Sequence, residues 1–363
     1  MKEILIDLTN LRNPTCGFGQ IQLNYVKLFT EKALNEANED QLHFNFLIPQ
    51  GLPLNLPAEI STFPCRKKLN LYFPFTLPRA DVWHITNQQQ RLLRKARGTK
   101  VIYTIHDLNF LQEKSSLSIR KHLFRIQRRI NQADAVVAVT QYTADVVKNN
   151  LDLKGKEVRV IYNGVENIVS NSQSRPRFVV DTADGNGIQP FFFTIGQIRK
   201  KKNFHILVDM MRYFPNHQLY ISGQDTFDYA NEIREQIKAG GLNNVHLTGP
   251  VTQEEKVWLY SHCTAFLFPS QGEGFGLPPI EAMQFGKPVF AANRTCLSEV
   301  CGNAAFMIDD LTSEAFANSI NSHLPHFYDH ADRIEAVRQH ANSFSYKKHI
   351  DAYYQLYKKL SQE

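Results

Sequence analysis

No stretch of the chain approaches the about 18 consecutive apolar residues that a membrane-crossing helix needs. Met1-Lys2-Glu3 leads into a short apolar stretch that ends at Asp7, unlike the core of a secretory signal, so the expected compartment is the cytoplasm. Cysteine is scarce. Cys16, Cys65, Cys263, Cys296 and Cys301 are scattered, odd in number and without a paired C-x-x-C spacing, so they read as buried or reduced thiols rather than disulfide staples or zinc ligands. The chain has no Gly-x-Ser-x-Gly elbow, no H-E-x-x-H and no Walker Lys-Ser/Thr. The dinucleotide fingerprint is incomplete as well: Gly17-Phe18-Gly19 is followed by Leu23, Asn24 and Tyr25, with no last glycine. Internal repeats and low-complexity tracts are missing. What remains is an ordinary globular composition, 43% apolar over 363 residues, long enough for two domains with cores of their own.

Acidic residues are thin in the first half. Residues 1–165 hold 23 Lys+Arg against 14 Asp+Glu, or +9, while the remainder holds 18 against 21, or −3. The densest basic stretch runs from Ser118 to Ile130 with nothing acidic in it. Ile119, Leu123, Ile126 and Ile130 fall on one helical face there, and Arg120, Lys121, Arg125, Arg128 and Arg129 occupy the rest. Two readings stand side by side: attraction to anionic phospholipid or a lipid-diphosphate acceptor, or a solvated helix whose apolar stripe is core.

Buried-strand patterns alternate with helical ones from end to end, which predicts a doubly wound α/β architecture. The first set comprises Ile4 to Leu8, His43 to Ile48, Val82 to Thr86, Val101 to His106, Ala135 to Thr140 and Val158 to Tyr162. The second comprises Phe191 to Gly196, Gln218 to Gly223, Val245 to Gly249, Ala265 to Pro269, Val289 to Ala292 and Ala305 to Ile308. Asn163 to Pro190, polar and aperiodic, reads as the linker. The expected domains are 1–165 and 166–345, both Rossmann-like, with a closing helix from about Tyr346 that carries Tyr353, Leu356, Tyr357 and Leu360 as an apolar stripe. Open α/β sheets bind ligands beyond the carboxyl ends of their strands.

The stretch FPSQGEGFGLPPIEAMQFGKPV, residues 268–289, carries the most chemistry. A buried strand leads into a glycine-containing turn. Pro278 and Pro279 suit the start of a helix, and Gly286 with Lys287-Pro288 ends it. Glu273 is then expected on the loop and Glu281 in the helix's first turn, with free amides near Gly276 and Leu277 facing an anion. After the first strand of the second set comes Gly196-Gln197-Ile198-Arg199-Lys200-Lys201-Lys202-Asn203. Four adjacent cations repel one another unless an anion sits between them, and a diphosphate is the obvious candidate. Gly17-Phe18-Gly19-Gln20 follows the first strand of the chain, where a backbone can approach a phosphate or an acceptor. His106 ends its strand at a sheet edge, and His84 is a weaker edge candidate.

In this order, the strand, Pro-Ser, Glu-Gly-Phe-Gly-Leu-Pro, Glu-Ala and Gly-x-Pro-Val resemble the E-x₇-E signature of the retaining glycosyltransferases of family 4, which have the GT-B fold. The resemblance covers nearly the whole chain and is most specific over residues 191–310. It implies two Rossmann-like domains facing a central cleft, with the C-terminal helix crossing back to the N-terminal domain; Ser343-Phe344-Ser345-Tyr346 is similar to the family's lead into that helix. By the family's offsets from Gly196, Lys202 matches the usual lysine and Lys201 replaces an arginine, a role Arg199 could take over. The implied catalytic residues are His106 and Glu273. The implied donor contacts are Arg199, Lys201, Lys202, Phe275, Gly276, Leu277 and Glu281, with Glu281 on the ribose. Gly17 and Gly19 resemble the phosphate or acceptor loop of a mannosyltransferase-like subgroup, although Gln20 departs from its arginine.

The expected activity is therefore transfer of a hexose from a nucleotide sugar, leaning towards GDP-mannose over a UDP-sugar, to a lipid-linked or polysaccharide acceptor in cell-surface glycan synthesis. No Asp-x-Asp metal grip is present, so no metal or other cofactor is expected, and no nucleic acid. Peripheral contact of the basic domain with an anionic membrane would place the protein at the inner face of the plasma membrane. A nucleotide-sugar epimerase and a non-catalytic nucleotide-sugar-binding relative are the alternatives.

Overall fold

A computed structural model describes residues 1–13, 17–36, 42–65, 77–89 and 98–363. The chain divides into two compact units, one of Met1–Gly164 with Tyr346–Glu363 and a second of Val165–Ser345.

The first unit holds a seven-stranded parallel sheet of β1 (Lys2–Asp7), β2 (Leu42–Pro49), β3 (Ser61–Cys65), β4 (Val82–Ile85), β5 (Lys100–Ile105), β6 (Ala135–Ala138) and β7 (Val158–Val160), in the order 3-2-1-4-5-6-7. β4 and β6 are buried at every position, as expected for parallel strands covered on both faces. The sequence patterns find all of these strands except β3. Pro64 argues against a strand there, but β3 is an edge strand that pairs only with β2, where a missing N–H is tolerated. Besides the closing helix, the α-helices among its described residues are α1 (Gly17–Glu36), α2 (Phe110–Glu113), α3 (Ser116–Gln132) and α4 (Gln141–Asn150).

The second unit holds a six-stranded parallel sheet of β8 (Phe191–Ile195), β9 (Gln218–Ser222), β10 (Val245–Gly249), β11 (Ala265–Phe268), β12 (Val289–Ala292) and β13 (Phe306–Ile308), in the order 10-9-8-11-12-13. Its helices are α5 (Phe204–Met210), α6 (Asp228–Gly240), α7 (Gln253–His262), α8 (Leu277–Gln284), α9 (Leu297–Cys301), α10 (Ser313–Phe327) and α11 (Ala331–Asn342). In each sheet the strand order reverses once, at β1/β4 and at β8/β11, and such reversals open the crevice where ligands bind in α/β folds.

The closing helix, α12 (Tyr346–Gln362), belongs to the first unit. Ile350, Tyr353, Tyr354, Leu356, Tyr357 and Leu360 join a core cluster with Ile4, Phe44 and Phe29. Each side chain so buried contributes roughly 1.5–3 kcal/mol. The tyrosine hydroxyls keep partners inside: Tyr357 pairs with His84 Nδ1 at 2.7 Å, Tyr353 with Thr104 Oγ1 at 2.8 Å, and Tyr25 of α1 with His349 Nε2 at 2.7 Å. His84, a candidate edge histidine in the sequence, is thus a core residue that holds this helix.

Three expectations need correction. The segment read as a linker is largely part of the second unit, because side chains and turns satisfy its backbone: Ile168 N donates to Gln284 Oε1 at 3.1 Å, Val180 N donates to the Tyr220 hydroxyl at 2.9 Å, and Asp181 bridges Ile188. Arg129, counted with the solvated cations, is only 4% exposed on the core side of α3, and burial pushes its guanidinium down to about 10. Gly17 and Gly19 do not form a loop; they open α1 as its first and third residues. Cys65, Cys263, Cys296 and Cys301 are buried thiols, and Cys16 lies outside the described residues.

Candidate functional site

The loops that follow β8 and β11 flank the reversal of the second sheet, and hydrogen bonds tie them together. Gln271 N donates to Lys201 O at 2.8 Å, and Asn203 Nδ2 donates to Pro269 O at 3.2 Å. Asn203 caps α5 in the left-handed region, φ 52°, which an Asn tolerates better than most residues. Gly196 and Gly223 allow the strand ends to approach closely. A Cβ on Gly223 would sit 2.0 Å from Gly196 O, and one on Gly196 would meet Lys202 Cε at 3.3 Å. Lys202 therefore lies flat over Gly196, with its ammonium 4.7 Å from the centroid of the Phe268 ring.

That ammonium forms an ion pair with Glu273 Oε1, and both side chains are largely buried at 11% and 15% exposure. The structure thus joins the two residues that the sequence placed on separate loops. A third loop, after β12, fixes the carboxylate's backbone: Glu273 N donates to Thr295 Oγ1 at 3.2 Å, and Cys296 Sγ lies 3.4 Å from Glu273 O. Thr295 has φ 52°. Sequence reasoning missed both Thr295 and Gly223; a glycine directly after a strand was the only available signal.

Gly276 caps α8 at φ 92°, and a Cβ there would meet Leu297 Cδ2 at 2.6 Å. Pro278 and Pro279 carry no N–H, so they leave no donor at the second and third positions of this helix. The Phe275 ring is buried, edge-on to Phe344 with centroids 5.5 Å apart, so the side chain packs inside the unit. Glu281 is the fifth residue of the helix, not in its first turn as expected, because Leu277 already starts the helix. Its carboxylate faces α7, where Lys256 Nζ lies at 3.1 Å and the buried Tyr260 hydroxyl at 2.8 Å. Neither partner was anticipated, since their positions on α7 become relevant only once α7 packs against α8.

The expectation that four adjacent cations demand an external anion is also revised. Lys200 pairs with Glu232 at 3.2 Å, Lys202 pairs with Glu273, and Arg199 stacks on the Phe227 ring at 4.0 Å. Protein groups therefore relieve much of the repulsion. Lys201 contributes its carbonyl to the loop tie.

In the first unit, the reversal at β1/β4 is occupied by the protein itself. Gln22 of α1 donates to Asp7 O at 3.1 Å and to Thr86 Oγ1 at 2.8 Å, while its Oε1 accepts from Asn10 N and Leu11 N. His106 Nε2 lies 2.8 Å from Thr86 O; a carbonyl only accepts, so Nε2 carries the proton and Nδ1 the lone pair. Burial pushes His106 down to about 4, and it is a neutral imidazole at pH 7. Phe18, between Gly17 and Gly19, meets it edge-on at 4.8 Å, so the structure brings this glycine stretch to the imidazole. Beside them Thr143 Oγ1 donates to His106 O at 3.2 Å, next to a small hollow lined by Asp107, Asn109, Gln112 and Tyr142. Among the described residues, no three His, Cys, Asp or Glu side chains come together to hold a metal ion.

A family model described as Glycosyltransferase Family 4 matches residues 25–167, and one described as Glycosyl transferases group 1 matches residues 181–340. The chain belongs to the group 1 glycosyltransferases. Its first half is of the family 4 type, and its two Rossmann-like units make it a member with the GT-B fold. It is similar to the serotype-specific mannosyltransferase WbdA of Escherichia coli, 27% identical over 251 residues that cover 62% of this chain and 31% of that protein. The chain thus spans about a third of that relative's length, 31%. It is also similar to the lipopolysaccharide core biosynthesis mannosyltransferase LpcC of Rhizobium leguminosarum bv. viciae, 25% identical, covering 84% of this chain and 83% of that protein. Anabaena HepE, solved with UDP and glucose, superposes with a TM-score of 0.70 over 100% of both chains at 18% identity, a likeness of fold.

Proposed function

We propose that this glycosyltransferase-family protein is a retaining, metal-independent hexosyltransferase that uses a nucleotide sugar, GDP-mannose ahead of a UDP-sugar, and a lipid-linked or polysaccharide acceptor in cell-surface glycan synthesis. The observation that carries the proposal is the meeting of Lys202 and Glu273 on the loops that flank the β8/β11 reversal, next to the amides at the start of α8. The two relatives named as mannosyltransferases support the sugar. The proposed place of work is the cytoplasm, at the inner face of the plasma membrane. No helix among the described residues is long and apolar enough to cross a membrane.

In the proposed reaction the bond between the sugar's anomeric carbon and the diphosphate breaks, with its electron pair going to the diphosphate oxygen. Lys202, with Arg199 or Lys201 and the amides of Phe275, Gly276 and Leu277, stabilises that growing charge more than it stabilises the bound donor. The acceptor hydroxyl attacks from the same face, and its proton passes to the departing phosphate oxygen. Glu273 and His106 take the roles the family resemblance implies, positioning the sugar and stabilising its oxocarbenium-like centre. As a neutral imidazole, His106 adds no cation to repel that centre. Glu281 is assigned to the ribose: of the about four acceptor positions on a carboxylate, Lys256 and Tyr260 use two, which leaves two for sugar hydroxyls.

A thermal-shift panel of GDP-, UDP-, dTDP- and ADP-sugars tests the donor, since a bound ligand raises stability by RT ln(1 + [L]/Kd). GDP-mannose is expected to give the largest shift. A larger shift with a UDP-sugar would overturn the donor assignment, and no shift with any of them would overturn the function. Donor converted to an isomer without acceptor would point to an epimerase.

A further inference from the structure

The loop that follows β12 reverses in a tight turn, and the turn carries a residue that its geometry does not favour. Leu297 N donates to Arg294 O at 3.1 Å, which makes Thr295 and Cys296 the two central residues. Thr295 has φ 52°, while Cys296 has φ −82° and ψ −2°. A positive φ at the first central residue alone marks a type II′ turn, whose first central position goes by preference to glycine. A β-branched side chain there is strained. Lys154 and Asn203 are the other described non-glycine residues with positive φ, and neither is β-branched. The surroundings hold the strain in place. Asn293 N donates to Ile308 O at 2.8 Å, Asn293 Nδ2 to Asp309 Oδ1 at 2.6 Å and Arg294 Nη2 to Asp309 O at 2.8 Å, so the stem of the turn is bound to β13 and the residue after it.

Strain of this kind clusters where a side chain must be aimed, and both central residues of the turn face Glu273. Thr295 Oγ1 accepts from Glu273 N at 3.2 Å, and Cys296 Sγ donates to Glu273 O at 3.4 Å. One turn thus holds the main chain of Glu273 on both sides. Only the side-chain torsions are left to place the carboxylate, and these end on the Lys202 ammonium. Glycine would relax the turn but would offer Glu273 N no acceptor. We infer that Thr295 is a positioning residue, kept at a glycine position because its hydroxyl fixes the backbone from which the Glu273 carboxylate reaches Lys202 and, in the reaction, the donor sugar. Only that last clause rests on the role proposed for Glu273. The pairing with Lys202 can be measured without any reaction, so the two proposals can fail separately.

The test compares Thr295→Gly, Thr295→Val and Thr295→Ser in the full chain. Thr295→Gly loses the strain along with the acceptor and should melt within about 3 °C of wild type, whereas Thr295→Val keeps the strain, loses the acceptor and should melt lower. Release of GDP from GDP-mannose gives the kinetic readout. In both variants kcat should fall about tenfold or more while the donor KM stays within about twofold, and Thr295→Ser should keep most of the wild-type kcat. A merely structural Thr295 would leave the well-folded Thr295→Gly active. The ion pair supplies a readout that needs no turnover. The coupling between Lys202→Met and Glu273→Gln in the unfolding equilibrium, measured by denaturant titration, should be about fivefold or more in the wild-type background and about half that or less in Thr295→Gly. Wild-type kcat in Thr295→Gly, a kcat in Thr295→Ser as low as in Thr295→Gly, a melting point of Thr295→Gly below that of Thr295→Val, or an unchanged coupling would each overturn the inference. No GDP release by the wild-type protein would count against the proposed function instead, and the coupling would then decide the inference by itself.

Discussion

The two sheets reverse strand order in the same way, yet their reversals are furnished differently. At β1/β4 the polar groups satisfy one another: Gln22 spans Asp7 and Thr86, and Thr86 O receives the His106 proton. At β8/β11 the groups are charged and held as ion pairs, Lys202 with Glu273 and Lys256 with Glu281. A closed neutral network has little to exchange with a ligand, because every bond given up must be replaced. An ion pair can trade one charged partner for another, and that suits a site for a charged ligand. The contrast puts exchangeable ion pairs at the second unit's reversal and a neutral hydrogen-bonded network, with His106 held in it, at the first's.

Acid should break the comparison most visibly. Burial pushes His106 and His349 each down to about 4, and burial also lowers His84. Above about pH 6.5 these groups are neutral both folded and unfolded, and pH has no effect through them. Between about 6.5 and 4 the unfolded chain takes up protons that the folded chain refuses, so stability falls with pH, on the order of 3 kcal/mol at pH 4 for each of His106 and His349. In the second unit His205, His217 and His246 are pushed the same way by desolvation, but His205 is exposed and the other two are only partly buried. Hydrogen exchange at pH 7 and pH 4.5 should therefore show the first unit losing more protection, and equal loss in both units would contradict the contrast.

Next in size, Glu273→Ala should lower turnover by about 10²–10³-fold without unfolding the protein, as loss of a group that acts in the transition state does. Near-wild-type turnover would remove Glu273 from the mechanism. Gly223→Ala should destabilise the second unit by about 3 kcal/mol or more, since its Cβ meets backbone rather than a movable side chain. A melting temperature within a degree or so of wild type would contradict that contact. The smallest effect belongs to the first unit: Tyr357→Phe leaves His84 Nδ1 without its partner and should cost about 1–2 kcal/mol in denaturant titration while donor binding stays unchanged.

Most of the fold was open to sequence reading because parallel strands buried on both faces are short apolar runs, as in Phe191–Ile195 and Ala265–Phe268. β3 escaped because a proline reads the same in an edge strand as in a loop until the neighbouring strand is known. Asn163–Pro190 read as a linker for a related reason: its hydrogen bonds run to Gln284 and Tyr220, residues remote in sequence. Gly17 and Gly19 suggested a loop because glycine disfavours helix interiors, yet the first turn of a helix leaves its amides unpaired and tolerates glycine there. Arg129 looked exposed because helical periodicity gives an angle and not the depth of what packs against it.

By itself the sequence determined two doubly wound units, a closing helix with a tyrosine stripe, and the order of loops that carry Lys202, Glu273 and Glu281. These depend on local period and on motif spacing, which are properties of neighbouring residues. Only the tertiary structure decided that Lys202 pairs with Glu273, that Glu281 shares Lys256 and Tyr260, and that His106 and His84 are buried and neutral. Each of those outcomes depends on which distant elements close the space around a side chain, and that space sets its partner, its charge and its exposure.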